Sequence, residues 1–132
     1  MSPTFTWPVR VYYEDTDAGG VVYHAQYLKF MERARTEWLR DLGFDQTRLA
    51  AEQGIMFVAH EVQIKFARPA RLNDLLQVTA SVQSARHFSL VFAQKILRDD
   101  EVIAGASVTI ACVNAQTLKP AQIPIMIRNS LI

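Results

Sequence analysis

The chain of 132 residues lacks several features by which other protein classes are recognised. Its single cysteine, Cys112, excludes an intrachain disulfide and a cysteine metal cluster, and the apolar neighbours of that residue predict a buried thiol. No apolar run reaches the length of a membrane span, and the N-terminus lacks the apolar run of a secretory signal. Pro/Gly-rich linkers and internal repeats are also missing. We therefore expect one soluble, cytoplasmic domain that covers residues 1–132.

The chain also has no large excess of one charge. It contains 14 basic and 13 acidic side chains, which give a formal net charge of +1. This balance gives no electrostatic reason to expect a nucleic acid or an anionic membrane as a partner. The balanced net charge is compatible with a locally basic pocket that binds a small phosphorylated ligand.

The spacing of apolar residues predicts the order of the elements. A period of two at Val9–Asp15 indicates a strand, and helical spacing across residues 25–42, followed by Gly43, indicates a helix. After a short helical piece near 45–53, alternation predicts four further strands, at 58–66, 76–83, 88–97 and 102–112. Short connections between successive strands imply antiparallel pairing. The predicted fold class is α+β, with one antiparallel sheet wrapped around one long helix, and the apolar strand at 88–97 suggests a dimer.

The segment YYEDTDAGGVVYH, residues 12–24, holds three acidic residues, two glycines, three tyrosines and a histidine. Its Asp-x-Asp start with a glycine at the sixth place resembles a calcium loop. Calcium is disfavoured because the twelfth place holds Gln26 instead of a bidentate glutamate, and because a strand precedes the segment. An ordinary strand-to-helix connection also fits, since glycines permit positive φ and acidic residues suit the start of a helix. These residues alone leave both a turn and a reactive site open.

The predicted start of the long helix favours a reactive site. None of the residues Tyr23, His24, Ala25 and Gln26 is a preferred N-cap, so some of the first N–H groups are expected to stay free. Free N–H groups aligned with the helix dipole can polarise a carbonyl or hold a developing oxyanion. Asp17 would place a carboxylate near that start, and His24 could orient water or move protons. Such a pairing suits the transfer of an acyl group to water.

The run RVYYEDTDAGGVVYHAQY, residues 10–27, resembles the active-site signature of the 4-hydroxybenzoyl-CoA thioesterase family, which has the hot-dog fold. The segments FMERARTEWLR, FARPARLND, SLVF and LKPAQIP extend the likeness over nearly the whole chain, and the sequence is most similar to the Tol–Pal-associated acyl-CoA thioesterases, the YbgC subfamily. Gln26 departs from the pattern, because many relatives carry asparagine or another small residue there. The resemblance implies one hot-dog domain, a homodimer or homotetramer, and active sites at dimer interfaces.

The resemblance also implies the catalytic residues. Asp17 matches the catalytic carboxylate, either as the nucleophile on the thioester carbonyl or as the base for water. The backbone at Tyr23–His24 matches the group that polarises that carbonyl, and His24 and Tyr13 match the flanking side chains of the subfamily. No metal and no cofactor are implied, because coenzyme A is part of the substrate.

The stretch SARHFS, before the third strand that follows the helix, supplies the candidate contacts to the coenzyme. Basic and hydroxyl side chains near the start of a strand suit phosphate groups, and here they are Arg86, His87 and Ser89. The family often uses such a position, from the neighbouring subunit, for the nucleotide end. A solvated turn is the alternative interpretation. Arg68 and Arg71 are weaker candidates, because the residues between them look like a structural bend.

We therefore predict an acyl-CoA thioesterase that releases a free acid and CoA, and the subfamily suggests short acyl chains. Aromatic, hydroxybenzoyl-type acyl groups and thioesters of acyl carrier protein are further substrate options. The rival hypothesis is a hot-dog scaffold that binds acyl carrier protein or other proteins of lipid metabolism and whose hydrolysis is incidental. A hot-dog dehydratase is a weaker third option. Asp17 and His24 argue against a scaffold, which needs neither side chain.

Overall fold

The computed structural model describes residues 3–131. Its elements, in chain order, are β1 (Phe5–Arg10), a 3₁₀ turn (Tyr13–Asp15), α1 (His24–Asp41), α2 (Gln46–Gln53), β2 (Ile55–Phe66), β3 (Leu75–Ala85), β4 (Ser89–Arg98), β5 (Glu101–Asn114) and α3 (Ile125–Asn129). The strands form one sheet in the order β1-β3-β4-β5-β2, and every pairing is antiparallel. The long helix α1 packs on β3 and β1. The predicted α+β class, with one antiparallel sheet and one long helix, is confirmed.

Helix α1 lies within one residue of its predicted bounds. Leu42 follows its last turn, and Gly43 has a φ of 96°, a conformation that glycine adopts without strain and that ends the helix. The buried face of the helix is apolar and consists of Tyr27, Phe30, Met31, Ala34, Trp38 and Leu39. Leu28, although apolar, lies outside this face and is 40% exposed.

The core consists of two clusters that follow each other along α1. The first half of the helix packs against side chains of β1, β3 and the start of β5. The second half packs against β3, β4, β5 and α3. Cys112 is fully buried in the second cluster, and burial raises the pKa of its thiol to about 11. The prediction of a buried thiol is confirmed.

The first strand lies earlier than predicted. The sheet strand is Phe5–Arg10, whereas the alternation placed it at Val9–Asp15. Val11 is still buried, but Tyr13, expected on the same face, is 83% exposed. The reason is that the Asp15 carboxylate accepts the backbone N–H of Tyr12 at 2.9 Å and closes a 3₁₀ turn. The chain therefore leaves the sheet before the acidic segment begins.

Strand β2 contains a bulge that the alternation did not predict. Its register to β5 shifts between Ala59 and Glu61, so that one extra residue enters the strand. Before the bulge, Phe57 lines the space beside α1. After the bulge, Phe66 packs on Tyr27 of α1, with 5.3 Å between the ring centroids. Odd-numbered residues thus face inward before the bulge and even-numbered ones after it. The strict alternation predicted for this strand is wrong for that reason.

Strand β2 is also an edge of the sheet, and residues 59–63 are exposed. The other three predicted strands agree closely with β3, β4 and β5, except that Val102 at the start of β5 is 41% exposed.

The short helix α3 was not predicted, because five residues are too few to show helical spacing. Within residues 3–131, no helix combines the length and the apolar character needed to cross a membrane.

Candidate active site

Asp17 lies in an exposed loop between the 3₁₀ turn and α1. Its backbone N–H donates to the carbonyl of Val21 at 2.9 Å, and its carbonyl accepts the N–H of Gly20 at 3.0 Å. Its Oδ1 accepts the N–H of Gly19 at 2.8 Å, and a Cβ at position 19 would stand only 3.2 Å from that oxygen. Oδ2 has no hydrogen-bond partner among residues 3–131. The loop therefore orients the carboxylate and leaves one oxygen available.

Asp15, which the sequence analysis did not single out, organises this loop. The residue is only 4% exposed, so its carboxylate needs protein partners. Oδ2 accepts the N–H of Tyr12 and Oδ1 accepts Nε2 of Gln26, both at 2.9 Å. The Asp15 carbonyl accepts the N–H of Tyr23 at 2.9 Å. Asp15 thus ties the loop to the start of α1, and Gln26, the departure from the family pattern, takes part in that connection.

The start of α1 is uncapped, as the sequence predicted. Tyr23 occupies the N-cap position, and its side chain makes no capping hydrogen bond. The N–H of Gln26 donates to the Tyr23 carbonyl at 2.8 Å. In the described part of the chain, the backbone N–H groups of His24 and Ala25 have no acceptor. Two free N–H groups at the positive end of a helix dipole can bind the oxygen of a polarised carbonyl.

The predicted catalytic side chains gather at one end of the molecule but line two recesses. Tyr13 and Asp17 line one of them. His24 lines the other together with Phe66, and its ring lies 4.5 Å from that of Tyr23. One chain therefore brings Tyr13 to Asp17 and Tyr23 to His24, but it does not enclose Asp17 and His24 in one recess. No group of three His, Cys, Asp or Glu side chains that could hold a metal ion is found between residues 3 and 131.

The site loop rests on the connection between β2 and β3. The N–H of Val22 donates to the carbonyl of Ala70 at 2.8 Å. Asp74 fixes this connection, since its carboxylate accepts the N–H of Arg71 and Nη1 of Arg98, both at 2.8 Å. Burial by itself raises the pKa of Asp74, but these hydrogen bonds and the two positive charges outweigh burial and lower it below its ordinary value. Arg71, a weaker candidate for a coenzyme contact, thus helps to support the loop through its backbone N–H.

The candidate coenzyme contacts lie at the other end of the sheet. Arg86 and His87 are exposed in the turn between β3 and β4, and Ser89 begins β4 with its side chain half-buried. Arg128 of α3, which the sequence analysis missed, approaches Nδ1 of His87 to 3.0 Å. The length of β3, roughly 33 Å at the usual rise per residue, separates this turn from the Asp17 end. A single chain therefore does not bring these residues to Asp17.

Comparison with known proteins decides the family. The sequence model of the thioesterase-like superfamily matches residues 11–131. This chain belongs to that superfamily. It is 48% identical over 120 residues to the acyl-CoA thioesterase YbgC of Haemophilus influenzae, a match that covers 91% of this chain and 88% of that relative. It is also 48% identical over 121 residues to the acyl-CoA thioester hydrolase YbgC of Escherichia coli O157:H7, with 91% and 90% covered.

Solved structures agree with this assignment. The crystal structure of a probable thioesterase from Bartonella henselae matches with a TM-score of 0.89 and 38% identity, over 92% of this chain and 100% of that one. The likeness confirms the hot-dog fold that the sequence resemblance implied. The resemblance to the YbgC thioesterases is confirmed as well, and with it the expectation that this protein is a thioesterase-type hydrolase.

Proposed function

We propose that this protein hydrolyses acyl-CoA thioesters to a free carboxylic acid and CoA, and that it needs no metal or further cofactor. The observation that carries the proposal is the uncapped start of α1, where the N–H groups of His24 and Ala25 are free and Asp15 ties the helix to the loop of Asp17. The names of the similar proteins, acyl-CoA thioesterase and acyl-CoA thioester hydrolase, support CoA as the thiol.

In the proposed reaction, the thioester oxygen accepts hydrogen bonds from these two N–H groups, which stabilise the negative charge that develops on it. Asp17 either attacks the carbonyl carbon and forms a mixed anhydride that water opens, or it takes a proton from the attacking water. In both routes the carbon–sulfur bond breaks, and the CoA thiolate leaves and takes up a proton. Tyr13 flanks the carboxylate, and His24 orients the water or the substrate.

A second copy of the chain is proposed to complete the site. Asp17 and the start of α1 line separate recesses in one chain, and Arg86, His87 and Ser89 lie at the far end of β3. The outer edge of β2 is available for antiparallel pairing with another copy. Because two-fold related copies run in opposite directions, the far end of one subunit comes near the Asp17 end of its partner. Arg86 and His87 would then bind the CoA phosphates from the neighbouring subunit.

Several finer predictions rest on the subfamily resemblance alone. They are the short acyl chain, the alternative thioesters of acyl carrier protein or of aromatic acids, the Tol–Pal association and the choice between a dimer and a tetramer built from dimers. The cytoplasmic location, which did not depend on the resemblance, is a further prediction. Each stays a prediction, and the substrate assay below addresses the first two.

A thiol-release assay over acyl-CoAs of graded length and aromaticity, together with acyl carrier protein thioesters, tests the proposal. We expect Asp17→Asn to lower kcat/KM by at least about a hundredfold, because it removes the charge that acts as nucleophile or base. The asparagine oxygen can still accept the N–H of Gly19, so the loop is kept. His24→Ala is expected to slow hydrolysis less. Glu14→Gln, which changes an exposed acid of the same segment, serves as the matched control and should keep full activity.

Two outcomes would contradict the proposal. Turnover by the Asp17→Asn variant at the unmodified rate would remove that residue from the reaction. A folded protein that releases no thiol from any member of the panel would favour the scaffold that binds acyl carrier protein or other proteins of lipid metabolism.

A further inference from the structure

The buried carboxylate of Asp15 is held by hydrogen bonds without an ion pair. In the described part of the chain, no basic side chain stands within 4.0 Å of it. Its two oxygens accept the backbone N–H of Tyr12 and Nε2 of Gln26, both at 2.9 Å. A buried charge without a counter-ion is stabilised by such donors and by the positive end of a nearby helix. Loss of either donor would therefore leave one oxygen of Asp15 unsatisfied.

Gln26 joins this carboxylate to α1 through its side chain. The residue is half-buried in the first turn of the helix, and its own N–H donates to the Tyr23 carbonyl at 2.8 Å. A side-chain oxygen at the start of a helix usually accepts the free backbone N–H groups instead. Because the Gln26 amide donates here, the backbone N–H groups of His24 and Ala25 stay without an acceptor within residues 3–131. The helix is thus attached to the loop, while the groups proposed to bind the thioester oxygen are left unoccupied.

Asp15 also belongs to the loop that carries Asp17. The Asp15 carbonyl accepts the N–H of Tyr23, and the N–H of Asp17 donates to the Val21 carbonyl, both at 2.9 Å. These bonds pair the two arms of the loop, which turns at Gly20 with a φ of 79°. The backbone of Asp15 is therefore part of the arm that leads to Asp17, while its side chain is bonded to the first turn of α1. We expect a displacement of Asp15 to move Asp17 relative to the start of the helix.

We propose that Asp15 and Gln26 are positioning residues of the hydrolysis, because the hydrogen bond between their side chains holds the Asp17 carboxylate in place relative to the free N–H groups of α1. This inference rests on the proposed function and adds to it a pair of side chains that act through other groups. A misplacement of reacting groups by about 1 Å can lower a rate by about a hundredfold. A weakened pair should therefore lower kcat, whereas KM should change little, since neither side chain is assigned a contact to the substrate.

A charge exchange across the pair tests the proposal in the thiol-release assay. Gln26→Glu places a second carboxylate against that of Asp15, and like charges in contact repel each other. We expect kcat to fall at least about tenfold, with KM within about twofold of its original value. Asp15→Asn alone keeps an oxygen for the N–H of Tyr12 but loses the charge-assisted bonds, so kcat should fall by only about threefold.

The double variant, Asp15→Asn with Gln26→Glu, should rescue the reaction. The asparagine oxygen accepts the N–H of Tyr12, and its amide nitrogen donates to the new carboxylate, so the bond is restored in the reverse direction. We expect kcat to return to within about threefold of its original value, although each change alone lowers it. Gln116→Glu, the same exchange at an exposed side chain of the turn after β5, is the matched control and should leave kcat and KM unchanged.

Should Gln26→Glu fail to fold, Gln26→Leu removes the donor without adding a charge and is expected to lower kcat about tenfold. Asp15→Asn should not rescue that variant, because leucine offers no acceptor. An unchanged kcat in Gln26→Glu, a loss that lies in KM alone, or the same low kcat with and without Asp15→Asn would each overturn the positioning role. The unmodified chain would still release thiol in those cases, so the proposed hydrolysis would stand. An unmodified chain that releases no thiol would overturn both.

Discussion

Asp15 and Asp17 stand two positions apart, yet they have different surroundings. Asp15 is buried and uses both carboxylate oxygens to hold the loop and the start of α1, whereas Asp17 is exposed and keeps one oxygen free. Nothing in the local pattern separates these two acids, because the partners of Asp15 include Gln26, eleven positions away. The family resemblance selected Asp17, and the structure supplies the physical reason why Asp15 is the less suitable catalyst.

Tyr27 offers a test of a single buried hydrogen bond. Its hydroxyl accepts the N–H of Ala70 at 2.9 Å, and both residues are almost fully buried. Tyr27→Phe leaves that N–H without an acceptor, so we expect the free energy of unfolding to fall by about 1–3 kcal/mol. Urea unfolding followed by circular dichroism measures the change. Tyr13→Phe, which removes a hydroxyl from a side chain that is 83% exposed, should change stability by less than about 0.5 kcal/mol, and equal losses in both variants would contradict the assignment.

At the scale of elements, the candidate site depends on two connections that are distant in the sequence. The loop before α1 hydrogen-bonds to the β2–β3 connection, and that connection is held to the end of β4 by Asp74 and Arg98. Arg98 also contacts Glu101 at the start of β5, at 3.5 Å. We therefore expect a change at this ion pair to weaken the support of the Asp17 loop.

The lowered pKa of Asp74 predicts a specific acid sensitivity. A carboxyl whose pKa is lower in the folded protein than in the unfolded chain stabilises the fold above its unfolded pKa, and this contribution is lost as pH falls through the folded value. We expect the free energy of unfolding to fall between roughly pH 5 and pH 3, and to fall less steeply in Asp74→Asn. Denaturant titrations at a series of pH values measure the slopes. Asp41→Asn, an exposed acid without an ion pair in the described residues, should keep the original slope, and identical slopes for all three proteins would refute the linkage.

At the scale of the whole molecule, the isolated chain leaves its candidate site divided. The sheet ends in β2, whose residues 59–63 are exposed, and the basic turn at Arg86 lies far from Asp17. An edge strand with exposed backbone groups invites pairing with another strand. The proposed oligomer would satisfy that edge and combine the separate parts of the site.

The oligomer can be tested through Val62, which is 38% exposed near the middle of the open edge. In a two-fold pairing of β2 strands, Val62→Asp places two like charges near each other, so we expect at least about tenfold weaker association and a parallel loss of hydrolysis. Sedimentation over a dilution series compares the masses with the 15.0 kDa of one chain. Val102→Asp, at an exposed valine of β5, is the control and should not change assembly. A monomeric protein with full activity would show that a second copy is not needed.

The sequence by itself determined the order of the strands and of the first two helices, the bounds of α1, its uncapped start and the family to which the chain belongs. These properties are local or are carried by motifs, since helical spacing, an N-cap residue and a signature run need no knowledge of distant partners. Only the tertiary structure decided that Asp15 is buried, that β2 switches faces at its bulge, and that the Arg86 turn lies far from Asp17. Each of these depends on which strand or loop packs against the residue, and the spacing of residues along one segment contains no information about that packing.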